Sequence, residues 1–372
     1  MNSKFSTVAL SLACCAGAAQ AQSSVTLYGT LGLAVRSSSN LDVAGNTKTE
    51  LTGTNLGAGI WGLRGVEKLD GGMQVRFKLE SGVLLDTGVL RNNALFGREA
   101  SVGLDGSFGK IDIGRLQVTG NAAEALVRSD PLRGGGQSET IWPGVWTGAR
   151  YDNALRYRLE VGPVFAGAEV SLGEQAAGGD AGRISAGTLG YAAGPLMVIS
   201  VLQTARDGTG LHSNAITVGA TYTVGDATWH GAFLHARRDK GFVTGATPGS
   251  ALFNSDFAYA GIKAPADQDT NVVLLGSTVN MGRWQLRSAV FYSDSPHATL
   301  FSATRGGNQR TLYGVLAYNL SARTAFLMSA DYNRWSGGWG GFFGATAPSL
   351  ALGKPDGHDS RRTMSVGLLH TF

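Results

Sequence analysis

Apolar and polar residues alternate one for one along much of this chain, and that period of two limits the fold more than any other feature of the sequence. Val75, Phe77 and Leu79 interleave with Gln74, Arg76, Lys78 and Glu80, and Leu155, Tyr157 and Leu159 with Arg156, Arg158 and Glu160. Ile216, Val218, Ala220 and Tyr222 alternate with Thr217, Gly219, Thr221 and Thr223. The chain ends the same way, with Met364, Val366, Leu368, His370 and Phe372 on one face. Successive side chains of a strand point to opposite sides, so each run reads as a strand with two unlike faces. After residue 21 no apolar run reaches the ~18 residues that a membrane-spanning helix needs.

A soluble sandwich also alternates, so the connections must discriminate. Strands are expected to start near residues 24, 54, 72, 93, 108, 150, 163, 183, 196, 213, 227, 270, 283, 310, 322 and 360. Short turn-forming pairs such as Asp70-Gly71, Gly162-Pro163, Gly194-Pro195 and Gly225-Asp226 separate alternate strands. Longer loops lie between them, the longest at about 117–149, 238–268 and 336–359. Alternating tight turns and long loops, with an even strand number, describe an all-β fold: a transmembrane up-and-down antiparallel β-barrel of about sixteen strands. Closure gives every backbone amide a partner and leaves no sheet edge in the hydrocarbon. Tyr28, Trp61, Tyr157, Trp229, Trp284, Tyr318 and Tyr332 are candidates for the interfacial girdles.

Composition agrees. Its 55 glycines in 372 residues and 16% charged residues set the chain apart from soluble proteins, which average about 7% Gly and about 25% charge. A 43% apolar content is too high for disorder, and only 9 prolines with no three-residue Gly period exclude a collagen-like chain. The formal charge of +4 is spread along the sequence and makes no nucleic-acid patch.

At the N-terminus, Lys4, an apolar run from Val8 to Ala19 and then Ala19-Gln20-Ala21 read as a secretory signal peptide cleaved after Ala21. Residues 22–372 then form a single barrel domain. Both cysteines, Cys14 and Cys15, lie inside the leader, so the mature chain is expected to have no thiol chemistry. A lipid-anchored alternative would place Cys14 just before the modified Cys15, where a small residue is expected.

Several segments carry a family resemblance. Ser23-Ser24-Val25-Thr26-Leu27-Tyr28-Gly29, the stretch Gly62 to Met73, Arg98 through Leu104, Phe108-Gly109-Lys110, Gly114-Arg115 and the closing Val366 to Phe372 resemble the general trimeric porins of Gram-negative bacteria, of the betaproteobacterial and neisserial type. The resemblance implies a homotrimer of sixteen-stranded outer-membrane barrels. Each would hold an aqueous pore narrowed by the third long loop, about residues 117–149, folding inward. It implies passive diffusion of ions and small hydrophilic solutes, surroundings of outer-membrane lipid and lipopolysaccharide, and no cofactor. It also implies that Phe372 forms part of an insertion signal read by the barrel-assembly machinery.

Parity and loop position give candidate pore residues. Arg76 and Lys78, with Glu80, face away from the apolar set of their strand, as do Arg150, Arg156 and Arg158 on theirs. An Arg facing lipid at mid-bilayer costs roughly 2–4 kcal/mol, so these charges should face a watery lumen. The third loop adds Glu124, Arg128, Asp130, Arg133 and Glu139, which would oppose acidic and basic groups across the narrow point. Arg98 and Arg150 sit where porin relatives are expected to place constriction arginines, while a third such position is Ile60 here. Arg98 shares parity with Ala100, Val102 and Leu104, so alternation alone turns it outward; a bulge or a position above the membrane would reconcile the two. The surplus of Arg and Lys predicts a weak to moderate anion preference.

Other chemistries have weaker support. Gly57-Ala58-Gly59-Ile60-Trp61-Gly62 spells a dinucleotide fingerprint but sits in a β-meander without its strand–turn–helix context. The six histidines show no paired metal-ligand spacing. A substrate-selective channel and an outer-membrane barrel hydrolase are the alternatives, the latter usually having fewer strands than the sixteen counted.

Overall fold

The computed structural model describes residues 24–54, 56–57, 59–91, 94–117, 122–133, 150–173, 181–244, 262–263, 267–296, 306–337 and 357–372. The leader, including the cleavage point expected after Ala21, lies outside these residues, as do residues 134–149 of the third long segment.

Seventeen strands form one antiparallel sheet that closes on itself. In chain order they begin with β1 (Ser24–Ser38), β2 (Lys48–Thr52), β3 (Gly59–Lys68), β4 (Gln74–Val83), β5 (Glu99–Gly106) and β6 (Gly109–Gln117). After the helix α1 (Ala122–Arg128) come β7 (Arg150–Val161), β8 (Val164–Ser171), β9 (Ile184–Ala193), β10 (Leu196–Arg206), β11 (His212–Val224) and β12 (Ala227–Arg238). A two-residue hairpin of β13 (Val243–Thr244) and β14 (Ile262–Lys263) stands apart. The wall resumes with β15 (Gln268–Met281), β16 (Trp284–Ser295), β17 (Gly307–Asn319), β18 (Thr324–Gly337) and β19 (Ser360–Thr371).

The wall has sixteen positions because β2 and β3 share one of them. β2 pairs with the upper half of β1, Ala34–Ser38, and β3 with its lower half, Ser24–Thr30. The second expected strand, placed near 54, starts at Gly59, and the short β2 that precedes it is not expected from the alternation. Closure is made by β1 and β19 in register from Thr30↔Thr371 to Ser38↔Thr363, and Gly29 and Phe372 extend it with two backbone hydrogen bonds of 3.0 and 3.1 Å.

Burial follows the period of two. On β15 Thr270, Val272 and Leu274 are buried while Val273 and Leu275 are exposed, and on β19 Arg361, Thr363 and Ser365 are buried while Met364, Val366 and Leu368 are exposed. The outward face of the described strands is thus apolar, as a lipid-facing wall requires. Trp284 and Tyr318 pack with ring centres 4.6 Å apart and planes tilted by 50° at the short-turn end of that surface. Tyr28 departs from the girdle expectation. It stands opposite Gly62, whose other partner is Glu80, and its hydroxyl reaches the Glu80 carboxylate inside the barrel.

Inside, the two sides of the wall differ. From β10 to β17 the inward positions are largely apolar, with Ile199, Val201, Leu234, Val272, Leu274, Phe291 and Val315 joining Ala125, Leu126 and Leu132 in one buried cluster. A fully buried Leu is worth about 1.5–3 kcal/mol, so these contacts hold the segment after β6 within the barrel. Strands that are apolar on both faces mark where the wall receives it.

Candidate functional site

The opposite part of the inner wall is charged. Arg76, Gly103, Asp112, Arg156 and Glu169 are successive cross-strand partners on β4 to β8 and share one level. Arg76 pairs with Asp112 at 2.7 Å by reaching over Gly103. A Cβ at that glycine would stand 2.7 Å from the Asp112 carboxylate and 2.9 Å from the Arg76 guanidinium carbon, so a side chain there would part the pair. Arg76 also donates to Asp105 at 2.8 Å, and Arg156 to Glu169 at 2.6 Å.

Four residues further along β4, Glu80 collects four donors. Arg98 Nε donates to Oε1 at 2.7 Å and Tyr28 Oη to Oε2 at 2.8 Å. Lys78 Nζ lies 3.2 Å from Oε2, and the Gln117 amide donates to Oε1. An ionised carboxylate has about four lone-pair sites, and all four are engaged. Lys78 additionally donates to Glu99 at 2.7 Å, and the Arg64 guanidinium lies 5.0 Å from the centre of the Tyr28 ring.

The segment after β6 is tied to both sides of the wall. On α1, Glu124 accepts Arg158 of β7 at 3.0 Å and its own-helix neighbour Arg128 at 2.8 Å. Beyond the helix, Tyr313 of β17 donates to Asp130, and Arg287 Nη1 of β16 donates to the Pro131 carbonyl at 2.9 Å. Gly219 of β11 permits the close approach. A Cβ there would meet Ser129 Oγ at 2.2 Å and the Ala125 carbonyl oxygen at 2.5 Å.

Among the expected residues, Arg76, Lys78, Arg98, Arg156 and Arg158 are all drawn into carboxylate pairs on this surface. Arg98 lies one residue before β5 begins, so strand parity does not bind it, and it turns inward to Glu80. Arg150 stands opposite Gln117 on β7, but a bulge lies between it and Arg156. The register shifts between Gly114 and Leu116, and Asn153 takes a φ of 52°. The parity that grouped Arg150 with Arg156 and Arg158 is therefore broken, yet the residue is buried. Arg128 and Glu124 meet on α1; Asp130 is buried, and Arg133 is exposed with a φ of 51°. Glu124 touches the wall arginine directly instead of facing it across open water. Glu139 lies outside the described residues, and Phe372 is the closing residue beside Gly29.

Sequence reasoning missed several partners. Glu99, Asp105, Asp112 and Glu169 carry charge within strands, and the cost of a charge facing lipid was an available signal for them. Tyr313 and Arg287 gave no comparable signal, because β17 is apolar on both faces from Leu312 to Ala317 and the Arg287 contact depends on where a distant loop lands.

An apolar exterior, a closed sheet, a charged inner wall and a segment of the same chain laid inside it define a transmembrane β-barrel channel. The chain belongs to the Gram-negative porin family, whose model matches residues 6–338. It is similar to outer membrane porin protein 32 of Delftia acidovorans, with 27% identity over 99% of this chain and all of that protein. Among solved structures it resembles an anion-selective porin from Comamonas acidovorans, with a TM-score of 0.75, 23% identity and coverage of 94% of this chain and 100% of that one. It also resembles the trimer form of OmpT, an outer membrane protein of Vibrio cholerae, with a TM-score of 0.64, 14% identity and coverage of 94% and 99%. The protein is an outer-membrane porin: a water-filled channel, not an enzyme.

Proposed function

We propose that the segment of about residues 117–149 is the constriction of this pore, and that its charge arrangement gives a weak to moderate preference for anions. The observation that carries the reading is the layering of the ion pairs. The Arg76 side chain is 31% exposed over Asp105 and Asp112 at 14% and 11%, and Lys78 is 33% exposed over Glu80 and Glu99 at 7% and 14%. Arg158 and Arg128, at 24% and 40%, cover Glu124 at 2%. In each of these pairs the carboxylate is the more buried partner and the cation the more exposed one, so a permeating ion meets positive charge first. Arg133 and, in part, Arg98 add to that surface, Arg150 and Arg156 supply positive charge buried behind it, and Asp130 is withdrawn to Tyr313. Glu139, on the same segment, supplies acidic charge in this reading. The anion-selective Comamonas porin is in keeping with this reading.

The working unit is a homotrimer, as in the OmpT trimer form. Residues 1–21 direct export and are removed, and residues 22–372 make the barrel. Outer-membrane lipid and lipopolysaccharide surround it, and β19 with Phe372 is the element handed to the assembly machinery. The test is a reversal potential across a planar bilayer in a salt gradient. Anion-directed potentials are expected, reduced in Arg158→Gln and in Arg150→Gln; clear cation selectivity of the wild type overturns the reading.

A further inference from the structure

Three arginines stand together on the outward face of the barrel at its long-loop end. Arg310 of β17, Arg334 of β18 and Arg362 of β19 are exposed, while the residues flanking them in sequence, Gln309 and Thr311, Asn333 and Trp335, Arg361 and Thr363, are buried inward. Arg310 lies directly opposite Arg334, and Arg362 lies opposite Tyr332, on the diagonal from Arg334. Like charges directly opposite one another destabilise an antiparallel pair. Among the described residues none of the three has an ion pair. In the sequence, the flanking segments 297–305 and 338–356 contain Arg305 and Lys354 against a single carboxylate, Asp356. Elsewhere on the outward face the arrangement differs: Arg237 of β12 has Asp269 opposite it.

The surroundings state what kind of anion fits. One step toward the short-turn end, the outward residues become Leu312, Tyr332 and Met364, then Val366 on β19, all exposed. The Arg310 guanidinium lies 5.9 Å from the centre of the Tyr292 ring, and Tyr292 and Tyr332 are outward aromatics of the kind found at a membrane interface. The cluster therefore sits at the boundary between hydrocarbon and headgroups.

We propose that Arg310, Arg334 and Arg362 bind the phosphate groups of a phosphorylated outer-leaflet glycolipid whose acyl chains lie on Leu312, Met364 and Val366. Guanidinium forks match phosphate oxygens bidentately, and a bound phosphate removes the repulsion between Arg310 and Arg334. A free phosphate would use the charges and leave the adjoining apolar surface unused. The proposal rests on the reading that the long-loop end faces the outer leaflet.

The test uses the purified full-length porin in neutral detergent, with bisphosphorylated lipid A as the probe and dephosphorylated lipid A as its control. The wild type is expected to prefer the phosphorylated form, without needing any variant. A triple variant, R310Q with R334Q and R362Q, is expected to lose about tenfold or more of that affinity, the scale of one charge-assisted hydrogen bond. R237Q is expected to bind as the wild type does. Equal binding of the two lipids overturns the proposal, as does unchanged affinity in the triple variant. Full displacement by millimolar inorganic phosphate overturns it in favour of a free anion. A triple variant that keeps its lipid affinity but loses its oligomeric state overturns it in favour of a second copy of this chain on that face. Conductance of the same preparation separates the outcomes, since a conducting channel that ignores the lipid phosphates loses this proposal and keeps the porin reading.

Discussion

At the scale of the residue, Glu80 shows how a carboxylate can set the charge of a pore without meeting the solute. Its four donors come from β1, β4, the residue before β5, and β6, so one side chain fastens strands that are not all neighbours. Glu80→Gln keeps the shape and removes the charge, leaving Arg98 and Lys78 without the anion they share. Two outcomes follow. Reversal potentials should shift further toward anions, because Arg98 loses its carboxylate and Lys78 keeps only Glu99. Stability, read from a denaturant midpoint of the refolded barrel, should fall by about 1–3 kcal/mol, the cost of stranding partially buried polar partners. An unchanged selectivity would show that these cations do not face the permeating ions.

At the scale of the element, the segment from α1 to Arg133 is a short piece of chain held by an apolar bed on one side and ion pairs on the other. Gly219→Val puts a side chain where Ser129 Oγ and the Ala125 carbonyl now lie. The segment must then shift off β11 while the sheet is untouched, so single-channel conductance should change with the β-sheet circular dichroism of the wild type retained. Tyr313→Phe removes only the donor to Asp130, a loss of about 1 kcal/mol. It should leave the mean conductance near that of the wild type and increase transient closures in single-channel records. Much of this architecture was legible in the sequence, because lipid on one face and water on the other write a period of two into every strand, and fifteen of the sixteen expected wall strands are continuous. The second shares its place in the wall with β2, a five-residue strand ahead of its expected start that is too short to announce itself by alternation. The charged wall was legible through parity except where a bulge cancels it, as at Asn153, or where a residue precedes its strand, as Arg98 does. The seating of the segment was not legible at all, because Gly219 and Tyr313 acquire their meaning only from a loop that starts about a hundred residues or more earlier in the chain.

At the scale of the whole molecule, the sheet closes on itself through β1 and β19, and Phe372 takes part in that closure. Phe372 exchanges two backbone hydrogen bonds with Gly29, so β19 cannot dock correctly until β1 is in place, and the channel exists only once both ends have met. Selectivity is likewise a property of the whole lumen. The ion pairs neutralise one another at contact distance, and what remains to act on a permeating ion is the outward layer of cations together with unpaired surface charge. Such a field reaches about 10 Å at 0.1 M salt and about 3 Å at 1 M. The anion preference measured in shallow gradients near 0.1 M should therefore decay toward the bulk mobility ratio as both compartments approach 1 M, in the wild type and in Glu80→Gln alike. A preference that persists undiminished at 1 M would mean that anions bind at short range to particular arginines, and would replace the screened field with discrete sites as the source of selectivity.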